Sequence, residues 1–269
     1  MAVTLIVAVA LLLAGAANGI EGQHPETLSV LGEPLYAPPL SKAARISADA
    51  AMTEARARYD AAPNDIGAIL ALEQAHLTLG RVGDALEILT HGVEAHPDDA
   101  RLRLERGRSY IRIRKFELAQ RDLRKAAETL PSAHCSLGLA RYLAADYANA
   151  RDSYGKCADP GVFGYLSNRR AGTASAPPSG PLGPAPSTPP PITFPGTPGS
   201  KIAKPREPIA RMYLDAIERL LDGKKDEARD ALKKIVVKNR DDWMEPAYIA
   251  AEVDYAKVVK AEGKRRGRR

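Results

Sequence analysis

The side chains able to do chemistry are unevenly placed along these 269 residues. Residues 101–125 carry ten Lys or Arg against three Asp or Glu, a local charge of +7 in a chain whose total is +6. Arg108 follows Arg101 by seven residues and Arg112 follows it by eleven. At about 100° per helical residue, all three fall within about 20° of one line. A planar guanidinium holds a carboxylate by two hydrogen bonds, so the stripe suits an acidic partner segment or a terminal carboxylate. A second basic cluster, Lys264 to Arg266 with Arg268 and Arg269, ends the sequence and suits contact with an anionic membrane surface.

Other chemistry is poorly provided for. His91 and His96 are five residues apart, about 140° out of phase on a helix, and share no face. Asp98–Asp99 and Asp241–Asp242 are adjacent pairs at helix junctions, where acids cap the following helix rather than share a proton. No P-loop, G-x-G-x-x-G, H-E-x-x-H or C-x-x-C motif is present, so no catalytic residue, metal site or cofactor is expected. Two cysteines exclude a four-Cys zinc site and a disulfide-dense miniature domain.

The elements that position the arginines are read from composition and period. Residues 2–17 are sixteen uncharged, mostly apolar residues ending in small ones. They read as a signal peptide of an exported, periplasmic or secreted protein, with an uncleaved membrane anchor as the alternative. Residues 18–40 form an extended segment with four prolines. Residues 172–208 hold twelve Pro in 37 positions, which neither helix nor sheet accommodates, so this stretch is a linker. Elsewhere apolar residues recur at three and four, predicting helices and essentially no sheet. The expected divisions are 1–17, 18–40, a helical domain over 41–171, the linker over 172–208, helices over 209–258 and a basic tail over 259–269.

The helical domain repeats. Residues 66–99 and 100–133 are adjacent 34-residue units. The first has Leu72, Gly80, Ala85, Leu89, Gly92 and Pro97 at unit positions 7, 15, 20, 24, 27 and 32. The second has Gly107, Tyr110, Ala119, Leu123, Ala126 and Pro131 at positions 8, 11, 20, 24, 27 and 32. A shortened third copy near Pro131 has Gly138, Ala150, Tyr154 and Cys157 at positions 8, 20, 24 and 27. Residues 45–62 read as a cap helix and 161–170 as a capping half-helix. Residues 209–222 and 225–238 return to the pattern, with a third helix over 243–260.

This chain resembles the tetratricopeptide repeat (TPR) family. The resemblance implies an all-α solenoid of helix-turn-helix units, each needing neighbours to bury its apolar face. It also implies a concave groove lined by positions 2, 9 and 13 of each first helix. Those positions and their neighbours here are Leu70, Gln74, Leu77, Arg101, Leu104, Arg108, Ile111, Arg112, Leu139 and Tyr142. His76 falls at a packing position. Arg103 and Arg106 depart from the family's apolar pattern and must snorkel or pair. Cys135 and Cys157 fall at positions 5 and 27, the same height on antiparallel helices. They are either a disulfide or two small buried thiols.

Three functions compete. One is a non-enzymatic scaffold of the cell envelope that binds another protein in the groove. The second is binding of nucleic acid or an anionic polymer; nucleic acid is disfavoured because the basic segments lack interleaved aromatics. The third is an enzyme assembled from distant residues, which no motif supports. The oligomeric state is not legible.

Overall fold

The computed structural model describes residues 24–173 and 208–266. The expected signal segment, nearly all of the Pro-rich stretch and the last three residues lie outside them. Among the described residues the chain is an all-α, TPR-like solenoid, preceded by a minimal hairpin of two-residue strands, β1 (Thr27–Leu28) and β2 (Pro34–Leu35).

Helix α1 (Lys42–Ala61) packs on α2 (Ile66–Thr78), which pairs with α3 (Val82–Ala95). Then α4 (Ala100–Arg112) pairs with α5 (Phe116–Ala126), and α6 (Ala133–Leu143) with α7 (Tyr147–Tyr154). Helix α8 (Gly161–Arg170) closes this series. After the undescribed stretch, α9 (Ile209–Leu221) pairs with α10 (Lys225–Lys238), and α11 (Pro246–Arg266) packs on both. Residues 259–266 therefore continue a helix rather than form a separate tail.

Local chemistry fixes these boundaries. The side chains of Ser41, Asp65, Asp99 and Asp146 accept amide hydrogens at the starts of α1, α2, α4 and α7. Asp241 and Asp242 instead sit in a 3-10 turn, Arg240–Asp242, ahead of α11. Each helix pair turns through one residue with left-handed backbone: Gly80 (φ 75°), Arg114 (62°), Ala145 (65°) and Gly223 (81°). The same turn in all four pairs marks α9–α10 as a repeat of the same kind.

Small residues set the helix spacing. A Cβ added to Gly107 would stand 2.6 Å from Leu123, and one on Gly138 would stand 2.8 Å from Tyr154. Arg103 and Arg106 are reconciled with the core by Asp122, itself 4% exposed. Arg106 donates two bonds to it, of 2.6 and 2.9 Å, and Arg103 one of 3.4 Å. Cys135 and Cys157 are joined by a disulfide, with Cα atoms 5.0 Å apart.

The C-terminal helices do not stand apart from the repeats. One buried cluster runs from Leu35, Leu77 and Leu104 through Tyr142 and Phe163 to Tyr213, Trp243 and Ile249. The division expected at the Pro-rich stretch is thus bridged, because α9 and α11 cover apolar surface that α6 and α8 leave open. A helix-pair solenoid exposes such a surface at its end unless something caps it.

Candidate functional site

The first helices of the three repeats, α2, α4 and α6, form the inner face where the resemblance places a groove. The structure divides that face into two ends. At one end, Leu70 and Gln74 are half-exposed and Arg101 is exposed. At the other, Leu139 and Tyr142 are each 2% exposed and Ile111 is 3% exposed. Leu77 and Leu104 are buried as well. The apolar floor expected to meet a partner is therefore largely consumed within the chain.

Two segments consume it. From the C-terminal side, the Tyr213 hydroxyl lies 2.8 Å from that of Tyr142 and donates to Asp254 at 2.6 Å. Tyr142 is also packed edge-on against Tyr147 and Phe163. Arg170 holds the Asp254 carboxylate by two bonds, of 3.1 and 2.6 Å, and lies over the Tyr142 and Tyr147 rings. Arg114, at the α4–α5 turn, pairs with Glu252 of α11 at 2.6 Å; their side chains are 6% and 0% exposed. From the N-terminal side, Leu35 is 1% exposed in the shared core. The Trp243 indole donates to the Tyr36 carbonyl at 2.7 Å, and the Val30 amide donates to Glu252. Glu26 accepts from the Gly83 amide at 3.1 Å. Residues 26–36 thus bridge the start of α3 and the C-terminal helices.

The three stripe arginines do not act as one free rung. Arg101 turns back onto its own cap residue, Asp99, at 2.7 Å. Burial raises the Asp99 carboxyl, but bonds from Arg101 and the Leu102 amide outweigh it and hold it below the ordinary aspartate value. Arg108 donates to Glu105 at 2.7 Å and to the Ser136 hydroxyl at 3.1 Å. Arg112 is 6% exposed and donates to Ser109 at 3.3 Å. Arg112 was expected to face a partner; its burial makes it part of the fold instead.

Sequence reasoning missed Glu73. It is 3% exposed, and burial followed by the nearby Glu105 charge pushes its carboxyl up to about 7 against the pull of Arg112 and Arg108. Its signal was available: Glu73 is the one acidic residue in the otherwise Ala- and Leu-rich α2. The middle of the inner face is therefore a mixed-charge cluster of Glu73, Glu105, Arg108 and Arg112, not a cationic one.

The histidines are accounted for locally. His91 meets the Tyr59 hydroxyl at 3.2 Å, and His96 meets the Asn64 carbonyl at 2.7 Å. His76 is buried, its Nδ1 3.2 Å from the Asp84 carboxylate but out of line for a hydrogen bond; burial lowers its pKa. Among the described residues no group of three or more His, Cys, Asp or Glu is arranged to hold a metal ion. No described helix is long and apolar enough to cross a membrane.

No family model and no curated protein matches this chain. A solved structure titled "MamA MSR-1 C2" is similar at 23% sequence identity over 48% of this chain and 81% of that chain, with a TM-score of 0.41.

Proposed function

We propose that this chain is a non-enzymatic protein–protein interaction scaffold of the cell envelope. In this reading it holds an acidic or carboxylate-bearing segment of another protein at the open end of the inner face. Leu70 is the apolar anchor, Gln74 a hydrogen-bonding neighbour, and Arg101 and Arg108 the carboxylate-facing cations. The observation that carries the reading is the division of that face. One end is filled by the chain's own residues 26–36 and α11, while the other keeps Leu70 and Gln74 half-exposed and Arg101 exposed, with the partly exposed Arg108 beside them. The reading places the protein outside the cytoplasm on the apolar character of residues 2–17.

Nucleic-acid binding loses ground for an electrostatic reason. Part of the positive stretch is turned into the fold: Arg103 and Arg106 share the buried Asp122, and Arg114 meets the buried Glu252.

The test is capture of the partner from envelope extract by the mature protein, followed by affinity measurement. Arg101→Ala with Arg108→Ala should weaken binding by about 1–3 kcal/mol while leaving helicity intact, since charge-assisted hydrogen bonds are lost and Ala favours helix. Arg121→Ala, exposed on α5, is the control. Equal losses from both would leave only diffuse charge and remove the groove from the account. Arg112 is unsuitable as a probe because its burial makes any substitution a test of folding.

A further inference from the structure

A second cationic group lies outside the inner face. A pocket of about 230 Å³ opens between α5, α6 and α7, lined by Arg124, His134, Arg141 and Lys156, with Leu137 and Ala127 among its apolar walls. Glu128 and Asp152 also border it, but each already has a partner: Lys125 at 2.7 Å and Arg151 at 2.8 Å. The side chains of Arg124, His134 and Lys156 have no ion-pair or hydrogen-bond partner among the described residues. Arg141 donates to the Asn149 carbonyl at 3.1 Å and the Ser153 hydroxyl at 2.5 Å. Those bonds fix its guanidinium and leave further N–H donors of the fork unused.

Like charges so gathered repel. His134 is held below its ordinary value by burial, then by Lys156 and Arg141, and burial and Arg124 lower Arg141 in turn. The packing of α5, α6 and α7 holds the group together, and the Cys135–Cys157 disulfide ties α6 to the end of α7 beside it. His134 immediately precedes Cys135 and Lys156 immediately precedes Cys157, so the S–S bond pins the two side chains at one height across α6 and the end of α7.

We propose that this pocket is an oxyanion site, taking a phosphate or carboxylate group among Arg124, His134, Arg141 and Lys156, with the Cys135–Cys157 disulfide as its positioning clamp. An anion there relieves the repulsion and accepts charge-assisted hydrogen bonds. The apolar wall admits a group carried on a larger molecule as readily as a free ion. The site is independent of the partner segment proposed for the inner face.

The His134 ring is the reporter. It shares the pocket with Arg124 and Glu128 at the end of α5, Arg141 of α6, and Asp152 and Lys156 of α7 and its end, and the charges of Lys156 and Arg141 act on it. An anion bound among these groups favours the protonated imidazole and so raises its pKa. The experiment follows the His134 resonances of the full-length oxidised protein by NMR at low salt, identified by His134→Gln. Inorganic phosphate and a tetraglutamate peptide are titrated separately.

A saturable shift with an upward move of the His134 pKa is expected. Arg124→Gln with Lys156→Gln, both at exposed positions, should weaken it roughly tenfold or more, the loss of two charge-assisted bonds. Tighter binding of the peptide assigns the site to acidic segments; phosphate binding as tight or tighter assigns it to free anions. Cys135→Ser with Cys157→Ser should weaken binding while circular dichroism shows the helices retained. Absence of a saturable shift with either probe, or an unchanged shift in the Arg124/Lys156 variant, overturns the site. Unchanged affinity in the folded Cys variant overturns the clamp.

Discussion

Arg170 and Asp254, 84 residues apart in sequence, are joined by two hydrogen bonds where their side chains are only 8% and 5% exposed. The pair fastens α8 to α11 and lies in the middle of the aromatic seam of Tyr142, Tyr147 and Tyr213. A buried ion pair costs more when one half is removed than when both are replaced.

Asp254→Ala should therefore destabilise the protein by about 3–5 kcal/mol, because it leaves the Arg170 guanidinium buried without its anion. Replacing both, Arg170→Met with Asp254→Leu, should recover most of that loss. Urea unfolding of the two variants checks the sign of the difference. A double variant as unstable as the single one would show that the seam depends on the charges themselves.

Two turns with the same backbone should respond oppositely to glycine. Ala145 has φ 65° and is exposed, so Ala145→Gly should stabilise by up to about 1 kcal/mol, the left-handed strain relieved less the entropy added to the unfolded chain. Arg114 has φ 62°, but Arg114→Gly also removes the counter-ion of the fully buried Glu252, leaving it only the Val30 amide, and should cost about 3 kcal/mol or more. Thermal unfolding of both variants reads the contrast directly.

Glu73 makes stability depend on pH. Its folded value, about 7, lies above the ordinary 4.5, so between those values the folded state binds more protons than the unfolded one. Stability from this group then falls as pH rises from 4.5 through 7, by about 3 kcal/mol in all. Glu73→Gln should be more stable than the parent at pH 8, and the difference should shrink steadily toward pH 4.5. A constant difference across that range would show that Glu73 is not held neutral by burial.

The repeat was legible because its causes are local. Gly107 opposite Leu123 and Gly138 opposite Tyr154 are spacing rules visible in any helix pair, and so is the equal height of Cys135 and Cys157. The closure of the inner face was not legible. Tyr142, Arg170, Tyr213 and Asp254 come from four helices, and no period connects them. The arginine stripe was read along one helix alone, whereas its surroundings include the buried Glu73 of α2 as well as Glu105 within α4. A side chain's helical phase says which way it points, not what a distant segment has already placed there.

The central claim, that the open end of the inner face holds a partner segment, is tested most directly by site-specific photo-crosslinking. A photoreactive residue at Gln74, half-exposed on α2, is compared with one at Glu87, exposed on α3, in protein incubated with envelope extract. The account predicts one discrete adduct from Gln74, weakened by salt and by Arg101→Ala with Arg108→Ala, and none from Glu87. The same adducts from both positions, or none from Gln74, would contradict it.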